Sequence, residues 1–345
     1  MRNWNLTHSY LIGKTHIDND LPCQDYAQSF QNEHYTIAAL SDGCGSSSHS
    51  DIGAKIVTET TIRLLSEEFD SIVSMGPIDS RKYILDSING ELEHKAQELD
   101  VDIKELNATL LFVVVKDNQE LLLGHLGDGY IGSIQSSKLE IKSVEEKSDE
   151  VNGTVYTTTP NAFASFNLRK GSLKDYEGFI LMSDGSGDAL VDSRVPFQKK
   201  FVNSVGTIMS YVSSHEDAES QNAVEEYLKK VRDHIASGDD CSVSIMVLDD
   251  TQIQDISTYH VPKPEIKPES KSSRPVYSFN PAYQAYFDYI SNLYHESSID
   301  FVDKVLFSKL VDFVLKKGSK PLELKDYLHV DELLLHIKHL IHDGY

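Results

Sequence analysis

The sequence predicts an α+β fold: a central antiparallel β-sandwich flanked by helix pairs, followed by a small all-α C-terminal appendage. Three observations predict it. Apolar runs of strand length recur over the first 250 residues, as at 35–40, 108–115 and 179–182. Stretches with apolar residues at helical spacing fall between them in pairs. The resulting order is strands, two helices, strands, two helices and a closing strand, which suits two antiparallel sheets packed together under helices.

Each element has its own local reason. Residues 4–12 read as a first strand, and 13–22 as a polar loop holding His16, Asp18 and Asp20. A second strand opens at Gln24-Asp25-Tyr26-Ala27, and a third covers 35–41. Ser50 or Asp51 is an N-cap candidate for a helix with Ile52, Ile56, Val57, Leu64 and Leu65 on its inner face. A second helix covers 80–99, with Tyr83, Ile84, Ile88 and Leu92 inward. Strands follow at 108–115, 121–126 and 130–134, the first two parted by the turn signal Lys116-Asp117-Asn118. Residues 155–159 and 163–168 alternate weakly and read as strands beside an acidic loop around 145–150. After the run at 179–182, helices at 201–212 and 218–235 precede a last strand at 243–248.

The composition divides the chain into a domain at 1–250, a Pro/Lys/Ser-rich linker at 251–278 and a helical appendage at 279–345. In the appendage, Tyr283, Phe287, Ile290 and Tyr294 share one helical face; Val302, Leu306, Leu310 and Phe313 share a second, and Leu333, Leu334, Ile337 and Leu340 a third. No internal repeat is visible.

The balance of 54 acidic against 32 basic residues gives a net charge of −22. That field repels nucleic acid and anionic membranes, so neither is expected as a partner. It also means that an anionic substrate needs a cation or a local basic group at its site. Three cysteines without a CxxC pair argue against a disulfide framework or zinc ribbon and favour a reducing compartment. No apolar leader or membrane-length run is present, so the expected location is cytoplasmic.

The residues that carry chemistry are aspartates. FILMSDGSGDA at 179–189 is an apolar run ending in Ser183-Asp184-Gly185, with Asp188 following. The run at 35–40 ends in the same way, at Ser41-Asp42-Gly43. Gly127-Asp128-Gly129 and Gly238-Asp239 stand at further strand ends, and Asp25 opens a strand. One Asp-Gly pair is an ordinary turn. Five carboxylates at such positions imply convergence, which is costly unless a cation lies among them. Hard oxygen donors of this kind suit Mg²⁺ or Mn²⁺.

The ordered set PCQDY, IAALSDGCGS, NATLL, LGHLGDG, FILMSDGSGDAL and GDDCSV resembles the protein phosphatase 2C family of metal-dependent serine/threonine phosphatases, in its bacterial branch, over about residues 8–248. The resemblance implies a helix-flanked β-sandwich (αββα) and two ions, Mn²⁺ or Mg²⁺, with a weaker third. It implies that Asp42, Asp184, Asp239 and the Gly43 carbonyl are direct ligands. Asp25 would act from behind metal-bound water, and Asp128 and Asp188 would join Asp184 at the third ion. The implied reaction is hydrolysis of phosphoserine or phosphothreonine on proteins by a metal-bridging water, opposed by a serine/threonine kinase. The alternative is a catalytically weak module that binds phosphoproteins or a partner kinase.

Three positions depart from the family. Gln24 replaces the usual acidic residue, Cys44 replaces a histidine, and no phosphate-binding arginine has a counterpart, which leaves His16 as the phosphate-binding candidate, with Lys14 nearby. Cys23, Cys44 and Cys241 read as small fillers at strand ends. Asp240 reads as a neighbour of the ligands, and His336, His339 and His342 as a solvated helix face.

Overall fold

The computed structural model describes residues 3–144, 154–195, 198–234 and 238–260. Contacts divide the chain into two units, Met1–Pro264 and Glu265–Tyr345. The helices expected at 279–345 and the acidic loop around 145–150 lie outside the described residues.

In the first unit the chain runs β1 (Trp4–Leu11), α1 (Lys14–Asp18), β2 (Asp25–Gln31) and β3 (Tyr35–Asp42). Three helices follow: α2 (Ser50–Glu67), α3 (Phe69–Ser74) and α4 (Pro77–Leu99). Then come β4 (Leu110–Lys116), β5 (Glu120–Leu126), β6 (Tyr130–Gln135), β7 (Lys138–Val144), α5 (Ala162–Ser165), β8 (Asn167–Ser172) and β9 (Tyr176–Met182). The remainder is α6 (Asp184–Leu190), β10 (Val191–Asp192), β11 (Gln198–Phe201), α7 (Asn203–Val212), α8 (Asp217–Arg232), β12 (Cys241–Leu248), β13 (Asp255–Ile256) and β14 (Tyr259–His260).

One sheet is ordered β2-β3-β4-β5-β8, a second β1-β12-β9-β6-β7-β13, and a small third β10-β11-β14. The period of two along a strand assigns the faces. In β4, Leu111, Val113 and Val115 join Leu40, Phe179, Leu181 and Met246 in an apolar layer shared by the two large sheets. Leu110, Phe112 and Val114 point the other way and pack with Leu65, Ile88 and Leu92 of α2 and α4. In β12, Val243, Ile245 and Val247 pack with Met209 and Leu228 of α7 and α8. Strands apolar on both faces therefore read as unbroken runs, which is why 108–115 and 179–182 stand out in the sequence.

Where the structure differs from expectation, the cause is local. The loop at 13–22 contains α1, a single short helix too brief to show periodicity. Residues 155–159 form no strand; they are held by scattered bonds instead of a ladder, among them the Thr157 amide donating to the Ala108 carbonyl at 3.0 Å and Asn89 Nδ2 donating to the Thr157 carbonyl at 3.1 Å. The stretch at 163–168 is divided between α5 and β8, with Phe166 buried between them. β7, rich in charge, was not anticipated. Residues 255–260 add short strands, β13 on β7 and β14 on β11, where linker was expected. The remainder of that linker, beyond residue 260, lies outside the described residues.

Phe179 is fully buried in the shared layer and packs on Trp4 and Tyr176, with ring centroids 6.5 and 5.2 Å away. Phe179→Ala is expected to destabilise the domain by about 3–5 kcal/mol through lost transfer energy and the cavity left behind. A urea titration checks this: the midpoint falls with an unchanged slope.

Candidate metal centre

The two large sheets deliver their acidic strand ends to one edge. β2 begins at Asp25 and β3 ends at Asp42, and the antiparallel register sets these residues directly opposite each other. In the other sheet Met182 pairs with Tyr130 on one side and with Val243 on the other. The residues just outside those pairs are Asp184, the Gly127-Asp128-Gly129 turn and Asp239-Asp240. Strand pairing therefore places six aspartates together from five separate motifs.

Glycines permit the last approach. A Cβ on Gly185 would lie 2.1 Å from the Asp240 carbonyl oxygen and 3.3 Å from the Asp239 Cβ, so α6 starts in contact with the Asp239 segment. A Cβ on Gly129 would lie 2.6 Å from the Met182 carbonyl oxygen. Only residues without a side chain fit at these contacts. The outcome is a tight group: one carboxylate oxygen each from Asp42, Asp128 and Asp184, all within 4.8 Å of one another.

The electrostatics follow from this crowding. Burial raises the pKa of Asp25 and Asp42 well above the ordinary carboxylate value, and neighbouring carboxylates add to the effect. Asp184 is pushed up to about 6, by burial first and then by the charge of Asp128, with Asp239 contributing. Asp239 is raised by burial and by Asp240, and His16 offsets part of this. Asp188 is near enough to Asp239 to act on it electrostatically.

The donor set fits a hard divalent cation. The oxygens are all carboxylate, and Asp25 is buried with Oδ2 lacking an aligned hydrogen-bond partner, although the Ser242 and Ser183 hydroxyls lie against its carboxyl. The Gln24 Oε1 atom is likewise buried and unpartnered, and it points towards Gly45, 3.9 Å from where a Cβ would stand. A cation among these groups relieves both the mutual repulsion and the unmet acceptors.

Buried polar groups hold the loops. Asp240 is 2% exposed; its Oδ1 accepts from the Gly13 amide and its Oδ2 from the Gln24 amide, each at 2.6 Å. It thereby ties the end of β1 and the segment before Asp25 to the Asp239 segment. His16 is also buried, with Nδ1 2.8 Å from Asp240 Oδ2 but out of line for a good hydrogen bond. His125 Nε2 donates to the Gly127 carbonyl at 3.0 Å, and its Nδ1 accepts from Ser143 Oγ at 2.7 Å. Since a carbonyl can only accept, that tautomer is fixed. Burial pushes the His125 pKa down to about 4, so the ring stays neutral. It braces Gly127, whose φ of +109° is left-handed, immediately before Asp128.

Asp25, Asp42, Asp128, Asp184 and Asp239 are thus gathered at one edge, with Gly43 next to Asp42. The Gly43 amide donates to the Gln24 carbonyl at 3.0 Å. Asp128, rather than Asp239, completes the tightest group. His125, Thr154, Tyr156, Ser183 and Ser242 were missed by sequence reasoning. Of these, His125, Ser183 and Ser242 carried a signal, by standing inside LGHLGDG, FILMSDGSGDAL and GDDCSV, whereas Thr154 and Tyr156 carried none. Cys241 is buried under α8, while Cys23 and Cys44 are half-buried beside the carboxylates.

The family model described as protein phosphatase 2C matches residues 12–244. The chain belongs to the protein phosphatase 2C family. Its relatives include serine/threonine-protein phosphatase 3 of Escherichia coli, 22% identical over 166 residues, which are 46% of this chain and 65% of that protein. A crystal structure of a bacterial serine phosphatase variant superposes with a TM-score of 0.50 at 19% identity, covering 72% of this chain and 99% of that one. The catalytic domain of the serine threonine protein phosphatase PstP, crystallised with two manganese ions, superposes with the same score at 15% identity, covering 72% of this chain and all of that one. At these identities the structural likeness is one of fold. No helix among the described residues is long and apolar enough to cross a membrane.

The raised Asp184 sets a sign for stability. Between the unfolded carboxylate value of about 4 and the folded value of about 6, the folded metal-free protein binds the extra proton. Its contribution is complete below pH ~4 and is lost as pH rises through about 6, a change of about 1–2 kcal/mol after solvent screening. Thermal melts in EDTA across that window are expected to show the decline, and Asp184→Asn to flatten it. A wild-type curve that matches the variant's contradicts this.

Proposed function

We propose that this chain is an Mn²⁺- or Mg²⁺-dependent protein serine/threonine phosphatase whose catalytic unit is a β-sandwich flanked by helix pairs. The observation that carries the reading is the convergence of Asp42, Asp128 and Asp184 within 4.8 Å, with Asp239 against Gly185 beside them. Asp42, Asp184, Asp239 and the Gly43 carbonyl would hold two ions, and Asp128 and Asp188 with Asp184 a weaker third. Such ions lower the pKa of water and neutralise phosphoryl oxygens.

The rest of the reaction falls to the chain's own groups. Asp25, buried against Ser183 and Ser242, is placed to orient and deprotonate water from behind the ligands. Asp240 fixes the Gly13 and Gln24 amides and so the position of Asp25. His16 is the basic group on the Asp239 side and the proposed contact for a phosphoryl oxygen. A phosphoserine or phosphothreonine side chain brings a dianion to a protein of charge −22. Only a locally inverted field at this edge makes that approach favourable. A serine/threonine kinase is the natural opposing activity, and the family membership and the names of the relatives support the substrate class.

Purified protein is expected to hydrolyse an aryl phosphate with Mn²⁺ and to stop in EDTA. Asp184→Asn is expected to lose about 10²–10³-fold in kcat/KM, the scale of one preorganised electrostatic group. Absence of Mn²⁺-dependent turnover in folded wild-type protein would overturn the reading.

A further inference from the structure

The segment at 154–159 runs between two strand ends of the site, and both of its ends are anchored. At one end Thr154 Oγ1 donates to Asp128 Oδ2. At the other, the Thr157 amide donates to the Ala108 carbonyl at 3.0 Å, and Ala108 bridges to Gly43. Asn89 Nδ2 donates to the Thr157 carbonyl at 3.1 Å, and Thr158 Oγ1 bonds Asn107 Oδ1. The Tyr156 carbonyl accepts from the amide and the hydroxyl of Thr159, at 3.1 and 2.7 Å. Tyr156 is therefore held between two carboxylate-bearing strand ends. Its half-buried side chain lies beside Cys44, close enough to Asp128 to feel its charge.

A phosphoserine or phosphothreonine ester leaves as an alkoxide, a strong base. A donor touching that oxygen lowers the barrier because negative charge grows there as the bond breaks. Ionised carboxylates cannot donate, and a thiol donates weakly. The Tyr156 hydroxyl is a full donor beside these carboxylates, and burial, followed by the neighbouring Cys44, favours its keeping the proton.

We propose that the Tyr156 hydroxyl turns from Cys44 to donate a hydrogen bond to the departing seryl or threonyl oxygen. This inference rests on the phosphatase reading above. In the step, a water oxygen forms its bond to phosphorus while the ester P–O bond breaks. The electron pair leaves on the side-chain oxygen, which takes its proton from solvent, and Tyr156 remains protonated throughout. An aryl phosphate needs no such donor, since its phenolate spreads the charge over the ring.

The test compares Tyr156→Phe with wild type on a phosphothreonine peptide and on a nitrophenyl phosphate, both with Mn²⁺. The expected loss in kcat/KM is about 10–100-fold on the peptide and less than about threefold on the aryl ester. Mn²⁺ affinity by calorimetry and the melting temperature are expected to stay unchanged. Across a series of esters, the rate is expected to depend more steeply on leaving-group basicity in the variant. Cys44→Ala, which removes the neighbouring thiol, is expected to keep peptide turnover at or above wild type. Equal losses on both substrates, no loss on the peptide, or a selective peptide loss in Cys44→Ala instead would each overturn the assignment. A folded wild-type protein inert on both substrates overturns the phosphatase reading and this inference together.

Discussion

The structure depends on repulsion that the fold is strong enough to contain. Asp42, Asp128 and Asp184 bring oxygens within 4.8 Å of one another at an edge where Asp25 and Asp239 also stand. Such a cluster does not assemble through its own interactions. Two sheets sharing the apolar layer of Leu40, Val113, Phe179, Leu181 and Met246 force it together. Apolar burial at roughly 25 cal/mol per Å² supplies the free energy, and the strand registers supply the aim. The strained carboxylates are then a binding site by default, because a divalent cation is the group that relieves them.

Precision comes from a few buried polar groups rather than from the sheets alone. The carboxylate of Asp240 joins three chain segments by accepting two backbone amides, which also satisfies donors that would otherwise be buried unpaired. His125 does comparable work behind Asp128, kept neutral by burial so that one nitrogen donates and the other accepts. Neither group carries the chemistry. Each fixes the turn from which a ligand projects, and so decides how far that ligand stands from its neighbours.

The fold was legible wherever a strand is covered on both sides. Residues 108–115 and 179–182 are unbroken apolar runs because one face of each meets the other sheet and the other face meets helices. Where burial is one-sided or brief, the pattern fades. β7 interleaves charges with apolar residues, α1 is only five residues long, and 155–159 is secured by backbone and side-chain bonds that leave no periodicity. Within the site, each Asp-Gly at a strand end was readable because that pair marks where a rigid element stops. Thr154 and Tyr156 carry no such local mark, since their relevance depends on which distant strand lies opposite.

By itself the sequence determined the alternation of strands and helices, the acidic character and the set of aspartates available to a cation. These are properties of local spacing and residue type. Only the tertiary structure decided that Asp128 groups with Asp42 and Asp184, that Asp240 is a buried anchor, and that Tyr156 lies beside Cys44. Those facts rest on register between strands far apart in the chain and on glycine contacts of 2–3 Å, where a single Cβ would have moved a carboxylate away.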